Sequence, residues 1–234
     1  QARWTYHNIL EQVKIRRMLF EKPLLSRNYK AELAQITATN VFDARVNFSR
    51  RMSSGFADLK KKCHGGIRSI TVVGENLSMG SNWSHFVDLF YWLTESHLDK
   101  IEFDISWVSP VNSVYRIVEG RFQGCADGEV GINFESSYKP GVRKRYTSVI
   151  HLMNGDRIEY REVFGTQAFG PAGAFEVNIP FTSDTDFTPM ISGPNTDSAI
   201  SLPRISEVLG FVSLGTESFY SALDSAGYDQ VEVT

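Results

Sequence analysis

The stretch Lys100-Ile-Glu-Phe-Asp-Ile-Ser-Trp107 places Ile101, Phe103, Ile105 and Trp107 on one side of an extended chain and Glu102, Asp104 and Ser106 on the other. A period of two marks a β-strand with one buried face, because successive side chains leave the backbone in opposite directions. The same period returns at Val130, Ile132 and Phe134 and at Phe175, Val177, Ile179 and Phe181. Further strands are read at Tyr29 to Ile36, Ile67 to Val73, Val114 to Phe122, Tyr146 to Met153, Arg157 to Phe164, Gly210 to Leu214 and Gln230 to Val233. Turn signals at Gly65-Gly66, Lys139-Pro140-Gly141, Asn154-Gly155-Asp156 and Gly170-Pro171-Ala172-Gly173 separate them.

One segment reads clearly as a helix. Ser84 can cap a run from His85 to about Ser96 in which Phe86, Leu89, Phe90 and Leu93 share a face. The segment His7 to Leu19 fits neither period, so a helix and an extended arm both stay open. Eight or more strands with few helices predict an all-β fold, an antiparallel two-sheet β-sandwich of the jelly-roll kind. The expected organisation is an N-terminal arm over residues 1–28 and a jelly-roll domain over residues 29–234.

Composition narrows the classes. A chain of 234 residues, 42% hydrophobic and 22% charged, can bury a core without disulfides. No apolar run approaches the ~18 residues that span a bilayer, and Gln1 to Tyr6 lacks the succession of a signal peptide. Cys63 and Cys125 are read as free thiols of a reducing compartment. The start at Gln1 and the stop inside Gln-Val-Glu-Val-Thr234 suggest a polyprotein product or a trimmed chain. Charge is divided: residues 1–70 hold 14 Lys+Arg against 5 Asp+Glu, or +9, and the remainder holds 10 against 22, or −12. A basic part on an acidic body points to a polyanion at one face, or to internal pairing.

Candidate chemistry is sparse. His7, His64, His85, His97 and His151 are scattered, and no His/Cys set has metal-ligand spacing. There is no Gly-x-Ser-x-Gly elbow. The glycine-rich run Phe164 to Gly173 precedes a strand and contains Pro171, so it reads as a turn rather than a phosphate loop. Glu102 and Asp104 point to one face and resemble the start of the Glu-x-Asp-x-x-Glu signature of jelly-roll β-glucanases, but Trp107 stands where the second glutamate belongs. Asp184, Asp186, Asn195 and Asp197 offer oxygen atoms without calcium-loop spacing. The long polar loop from Thr182 to Pro203 suits contacts with another molecule. Arg16, Arg17, Arg50, Arg51, Lys60, Lys61 and Lys62 form the basic clusters, which would suit phosphate contact near Phe48 and Phe56.

The aromatic run Leu89-Phe90-Tyr91-Trp92 leading into Lys100 to Trp107, the strand Phe175 to Phe181, the polar loop after it and the segment Leu209 to Leu214 together resemble a capsid protein of the picorna-like viruses, order Picornavirales. That resemblance implies a structural, non-enzymatic jelly-roll subunit of a small icosahedral positive-strand RNA virus. It would need no cofactor and would pack with other capsid subunits in the virion, after assembly in the host cytoplasm. Its basic N-terminal residues would face genomic RNA. A carbohydrate-active or carbohydrate-binding jelly-roll protein is the alternative, with a groove lined by Trp107 and carboxylates.

Overall fold

The segment from Lys100 is a strand, but its apolar face meets helices and not a second sheet. The computed structural model describes residues 17–20, 26–38, 43–110, 117–164, 167–179 and 202–231. In chain order these form β1 (Arg17–Phe20), α1 (Tyr29–Ala38), β2 (Asp43–Val46), a 3-10 turn (Ser49–Met52), α2 (Ser54–Lys62), β3 (Ile67–Glu75), α3 (Met79–Thr94), β4 (Lys100–Val108) and β5 (Val118–Ala126). β6 (Val130–Ser137), β7 (Arg145–Leu152), β8 (Arg157–Phe164), β9 (Gln167–Phe169), β10 (Phe175–Ile179) and α4 (Ile205–Ser225) complete the order. One eight-stranded sheet runs β10-β8-β7-β3-β6-β5-β4, with β9 attached to β8, and β1 and β2 form a small parallel ribbon. Within the large sheet β3 lies parallel to β6 and β8 to β10, while the other pairs are antiparallel.

Strand alternation explains why one side is dry and the other wet. Ile70 aligns with Ile132 and Ile150, and Phe122 with Phe103 and Phe134, so these residues face the same side. Most of this side is fully buried, and it receives Trp83, Phe86, Leu89 and Phe90 of α3 and Phe211 and Phe219 of α4. Phe103 is half-buried, packed between Trp83, Phe122 and Phe219 with ring centroids 5.2–5.6 Å away. The opposite side carries the row Glu102, Gln123, Asn133, Thr71, Val149 and Glu159, a polar surface with no layer of described residues over it. The fold is therefore mixed α/β, a single large sheet covered by helices on one face, and the jelly-roll expectation is corrected. Alternation reports that a strand has one buried face; it does not report what buries it.

Two strand expectations fail for a related reason. Tyr29 to Ile36 lies in α1, where Ser26 donates from its N–H and Oγ to the Glu32 carboxylate at 2.6 and 2.7 Å and ties down the first turns. Gly210 to Leu214 lies inside the 21-residue α4, whose buried residues Val208, Phe211, Val212, Gly215, Phe219, Tyr220 and Leu223 recur at helical spacing. Gln230 and Val231 are not in a strand, and residues 1–16, 111–116, 182–201 and 232–234, with the arm, calcium and long-loop expectations that fall on them, lie outside the described residues. The strands from Ile67, Lys100, Val130, Tyr146, Arg157 and Ala174 are present within a few residues of their expected bounds, while the helix expected from His85 begins at Met79, with Ser84 buried inside it rather than capping it.

The two glycines of α4 have opposite surroundings. A Cβ on Gly215 would lie 2.2 Å from Trp83 Cζ3, and the Trp83 ring is buried, whereas a Cβ on Gly210 would meet nothing within 4 Å. Gly210→Ala is expected to raise stability by ~0.5–1 kcal/mol through helix propensity. Gly215→Ala should instead lower it by ~1–3 kcal/mol, because overpacking outweighs the same propensity gain. Urea denaturation of the two variants measures the difference, and equal effects would mean that α4 does not pack on Trp83 as described.

Candidate functional site

Between β2 and α2 the chain makes a 3-10 turn held by Arg51 N–H to the Phe48 carbonyl (3.2 Å) and Ser53 N–H to the Arg50 carbonyl (3.1 Å). Ser53 then caps α2 by accepting from Phe56 N–H, while its hydroxyl donates to the Asn178 carbonyl of β10 at 2.6 Å. Consecutive residues on a 3-10 helix diverge by about 120°. Arg50 therefore reaches the sheet and Arg51 reaches α3.

Both arginines end in carboxylate forks. Arg50 donates from Nε and Nη2 to Glu162 of β8 at 2.7 and 2.8 Å, and Tyr146 of β7 donates its hydroxyl to the same carboxylate at 2.5 Å. The Phe86 ring lies against the Arg50 guanidinium, 4.3 Å from its carbon. Arg51 donates from Nε and Nη2 to Asp88 at 2.9 and 2.6 Å, with Glu207 of α4 at 3.8 Å. Arg50 and Arg51 are 4% and 5% exposed, and Asp88 and Glu162 are 0% exposed, so these four charges share an interior. Burial alone would lower the pKa of Arg50, but the Glu162 charge and hydrogen bonds raise it, so the arginine stays cationic. Burial raises the Tyr146 hydroxyl well above its ordinary value, and the Glu162 charge adds to that. Asp88 is different: burial outweighs Arg51 and pushes its carboxyl up to about 6.

His85 stands one turn before Asp88 on α3, with its ring edge-on to Phe48 at a centroid distance of 5.5 Å. It is 7% exposed, the one buried histidine among the described residues. A histidine, a carboxyl titrating near neutrality and two guanidinium groups are thus gathered where the 3-10 turn meets α3. Such a cluster holds groups able to exchange a proton in the interior, with its arginine donors taken by the two carboxylates.

The other expected site residues disperse. Arg16 lies outside the described residues, and the backbone of Arg17 stands in register with Asp43 in the β1–β2 ribbon. Arg50 and Arg51, expected to face RNA, turn inward and spend their donors on Glu162 and Asp88. Lys60 donates to the Trp92 carbonyl and to Glu95, Lys61 pairs with Asp58, and Lys62 lies over the Phe175 ring, all at the end of α2. Glu102 and Asp104 sit on the open side of the sheet, paired with Lys100 and Arg121. Cys63 is buried, with burial pushing its thiol up to about 11, and Cys125 is exposed; both are free. No three His, Cys, Asp or Glu residues among the described residues gather to hold a metal. Asp88 and Glu162 escaped the sequence reading, although Glu162 follows Ile158 and Tyr160 on one strand face and Asp88 stands among the aromatic residues of α3, and that incongruity was the available signal.

No protein-family model matches the chain, and no curated protein matches it. Solved structures do. A Thermotoga maritima structure described as an oxidoreductase superposes with a TM-score of 0.62 at 13% identity, covering 98% of this chain and 75% of that one. A dehydrogenase from Chromobacterium violaceum gives 0.60 at 9% identity over 97% and 75%, and a super-repressor mutant of Gal80p from Saccharomyces cerevisiae gives 0.60 at 11% over 94% and 76%. In each case the superposition covers about three quarters of the other chain. At these identities the likeness is one of fold. It overturns the picorna-like capsid resemblance, because this is not a capsid fold. The virion, capsid-subunit and RNA-partner readings fall with it, as does the jelly-roll carbohydrate alternative. Among the described residues no helix is long and apolar enough to cross a membrane.

Two measurements probe the cluster. Arg50→Met should cost ~3–5 kcal/mol, because Glu162 is left as a buried charge, while Arg50→Met with Glu162→Leu should recover most of the loss. A double variant no more stable than the single one would refute the pairing. For Asp88, a folded-state pKa of about 6 lies above the ordinary ~3.9, so its stability contribution is complete below that ordinary value and is lost as pH rises through about 6. The stability advantage of wild type over Asp88→Asn, followed by urea denaturation, should therefore shrink between pH 4 and pH 7. An advantage that grows instead would show that Arg51 outweighs burial.

Proposed function

We propose that this chain is the ligand-side domain of an oxidoreductase, presenting His85 to a small hydroxylated molecule. The observation that carries the reading is the buried His85, set beside the Arg51–Asp88 pair in a fold that solved dehydrogenases share. Dehydrogenation of an alcohol sends the hydroxyl proton to a base, a role a neutral imidazole can fill near physiological pH, and the hydride to an acceptor that would have to lie outside the described residues. Arg51 and Asp88 then act by position: the fork fixes α3 against the 3-10 turn and with it the direction of the His85 ring. Phe48, edge-on to that ring, limits its rotation and keeps water from one side.

Dehydrogenases of this fold depend on NAD(P). The turn between β3 and α3 is a strand-to-helix connection of the general kind that cradles a pyrophosphate. Here it reads Asn76-Leu77-Ser78, without glycine, and Glu119 Oε1 already accepts the Ser78 N–H at 2.9 Å. A buried carboxylate at that helix start repels phosphate, so the described residues do not fit a dinucleotide there.

A second reading, a binding domain without chemistry, is favoured by the pairing itself. Asp88 and Glu162 are both engaged by arginines, so the two carboxylates of the cluster serve to hold the fold together. Gal80p, which shares the fold, is a transcriptional regulator in Kluyveromyces lactis.

Calorimetric titration with myo-inositol and other polyols at pH 7.5 tests the first reading. At least one polyol is expected to bind, and His85→Gln should weaken it about tenfold or more with unchanged thermal stability. Binding indifferent to that change, or no polyol binding, would reject the ligand-side role of His85 and leave the second reading.

A further inference from the structure

Among the described residues β4 is the last strand of the sheet, paired with β5 on one side. Backbone N–H and C=O groups alternate sides along a strand. Lys100, Glu102 and Asp104 turn theirs toward β5: the Asp104 carbonyl oxygen stands where a Cβ on Gly120 would come within 2.1 Å of it. Ile101, Phe103 and Ile105 therefore turn theirs outward, and the Ile101 carbonyl indeed accepts from Ser218 of α4 at 2.5 Å. Beyond Ile101 the edge opens into a groove of about 470 Å³ between β4 and α4. Its described lining is Glu102 to Ile105 on one wall and the small side chains Ser218, Ser221, Ala222, Ser225 and Ala226 on the other.

Three properties define an occupant. The outward groups of Phe103 and Ile105 offer donors and acceptors at strand spacing, which an extended backbone satisfies. The small side chains of α4 leave room for a main chain beside the edge. Glu102 and Asp104 belong to the β4 wall, and their carboxylates stand beside the edge on the open side of the sheet, each next to one cation, Lys100 or Arg121. Both carboxylates are exposed, and their pairs with Lys100 and Arg121 are of the exchangeable surface kind.

We propose that the β4–α4 groove takes an extended basic segment of a partner protein, which adds to the sheet as a further strand. Lysines or arginines at alternate positions lie opposite Glu102 and Asp104, whose side chains project from one face roughly 6.8 Å apart. Main-chain bonds to Phe103 and Ile105 supply affinity that is indifferent to sequence, and the alternate cations supply selectivity.

The probe is a panel of acetylated seven-residue peptides of the pattern x-Lys-x-Lys-x-Lys-x, set against peptides of the same composition with the lysines in one block. Alternating members should bind at least tenfold more tightly than block ones and slow hydrogen exchange at the Phe103 and Ile105 amides at least tenfold. Ser221→Trp, which fills the groove, and Glu102→Lys with Asp104→Lys, which reverses its charge, should each weaken binding tenfold or more. Failure of every alternating peptide to bind, unaltered binding by Ser221→Trp, or unchanged exchange at the two amides would overturn the proposal. So would a dimer of this chain in sedimentation that Ser221→Trp abolishes, since the edge would then be occupied by a second copy.

Discussion

Two guanidinium groups cannot enter a protein interior alone, and much of this fold is arranged around that constraint. The desolvation of each charge exceeds what an unpaired position could tolerate, so each arginine must meet a carboxylate fork in a fixed direction. Glu162 is fixed by the sheet and Asp88 by α3, with one short turn between β2 and α2 addressing both. The sheet and its principal covering helix are thus joined by directional bonds in addition to the apolar contacts of Phe86, Leu89 and Phe90. Such pairs add little net stability over apolar residues of the same shape. Their contribution here is geometric, since an apolar interface could slide and this one cannot.

The strands were legible because alternation is a local property. Lys100 to Trp107 and Arg157 to Phe164 could be read from their own residues, and both are strands. The layer above them was not legible, since a sheet face of Phe122, Phe134 and Ile150 is equally satisfied by a second sheet or by helices. Reading the apolar run Leu209 to Leu214 as a strand removed the longest helix from view and tipped the choice toward a sandwich. Its wider period, from Val208 through Phe219 to Leu223, held the correct information over a longer window.

The candidate site was less legible, for a physical reason. Charge counts treat Arg50 and Arg51 as surface, and in most contexts an Arg-Arg pair is. What distinguishes them is their partners 37 and 112 residues away, a separation that no local pattern encodes. Asp88 was visible as an acid among aromatics on the face of a helix, and that incongruity is the kind of sign a buried pair leaves. His85 gave no sign at all, because a histidine beside an apolar helix face is an ordinary core residue until its neighbours are known.

Placing the two arginines on successive residues also fixes how this part of the chain can vary in length. A single insertion or deletion between Phe48 and Ser53 would rotate the pair by about a third of a turn. Arg50 would then face the wrong element, and both carboxylates would lose their partners in one event. Side chains here can be exchanged for others of similar size and charge, but residues can be neither added nor removed. Among homologous chains this connection should keep a constant length even where the sequence on either side drifts.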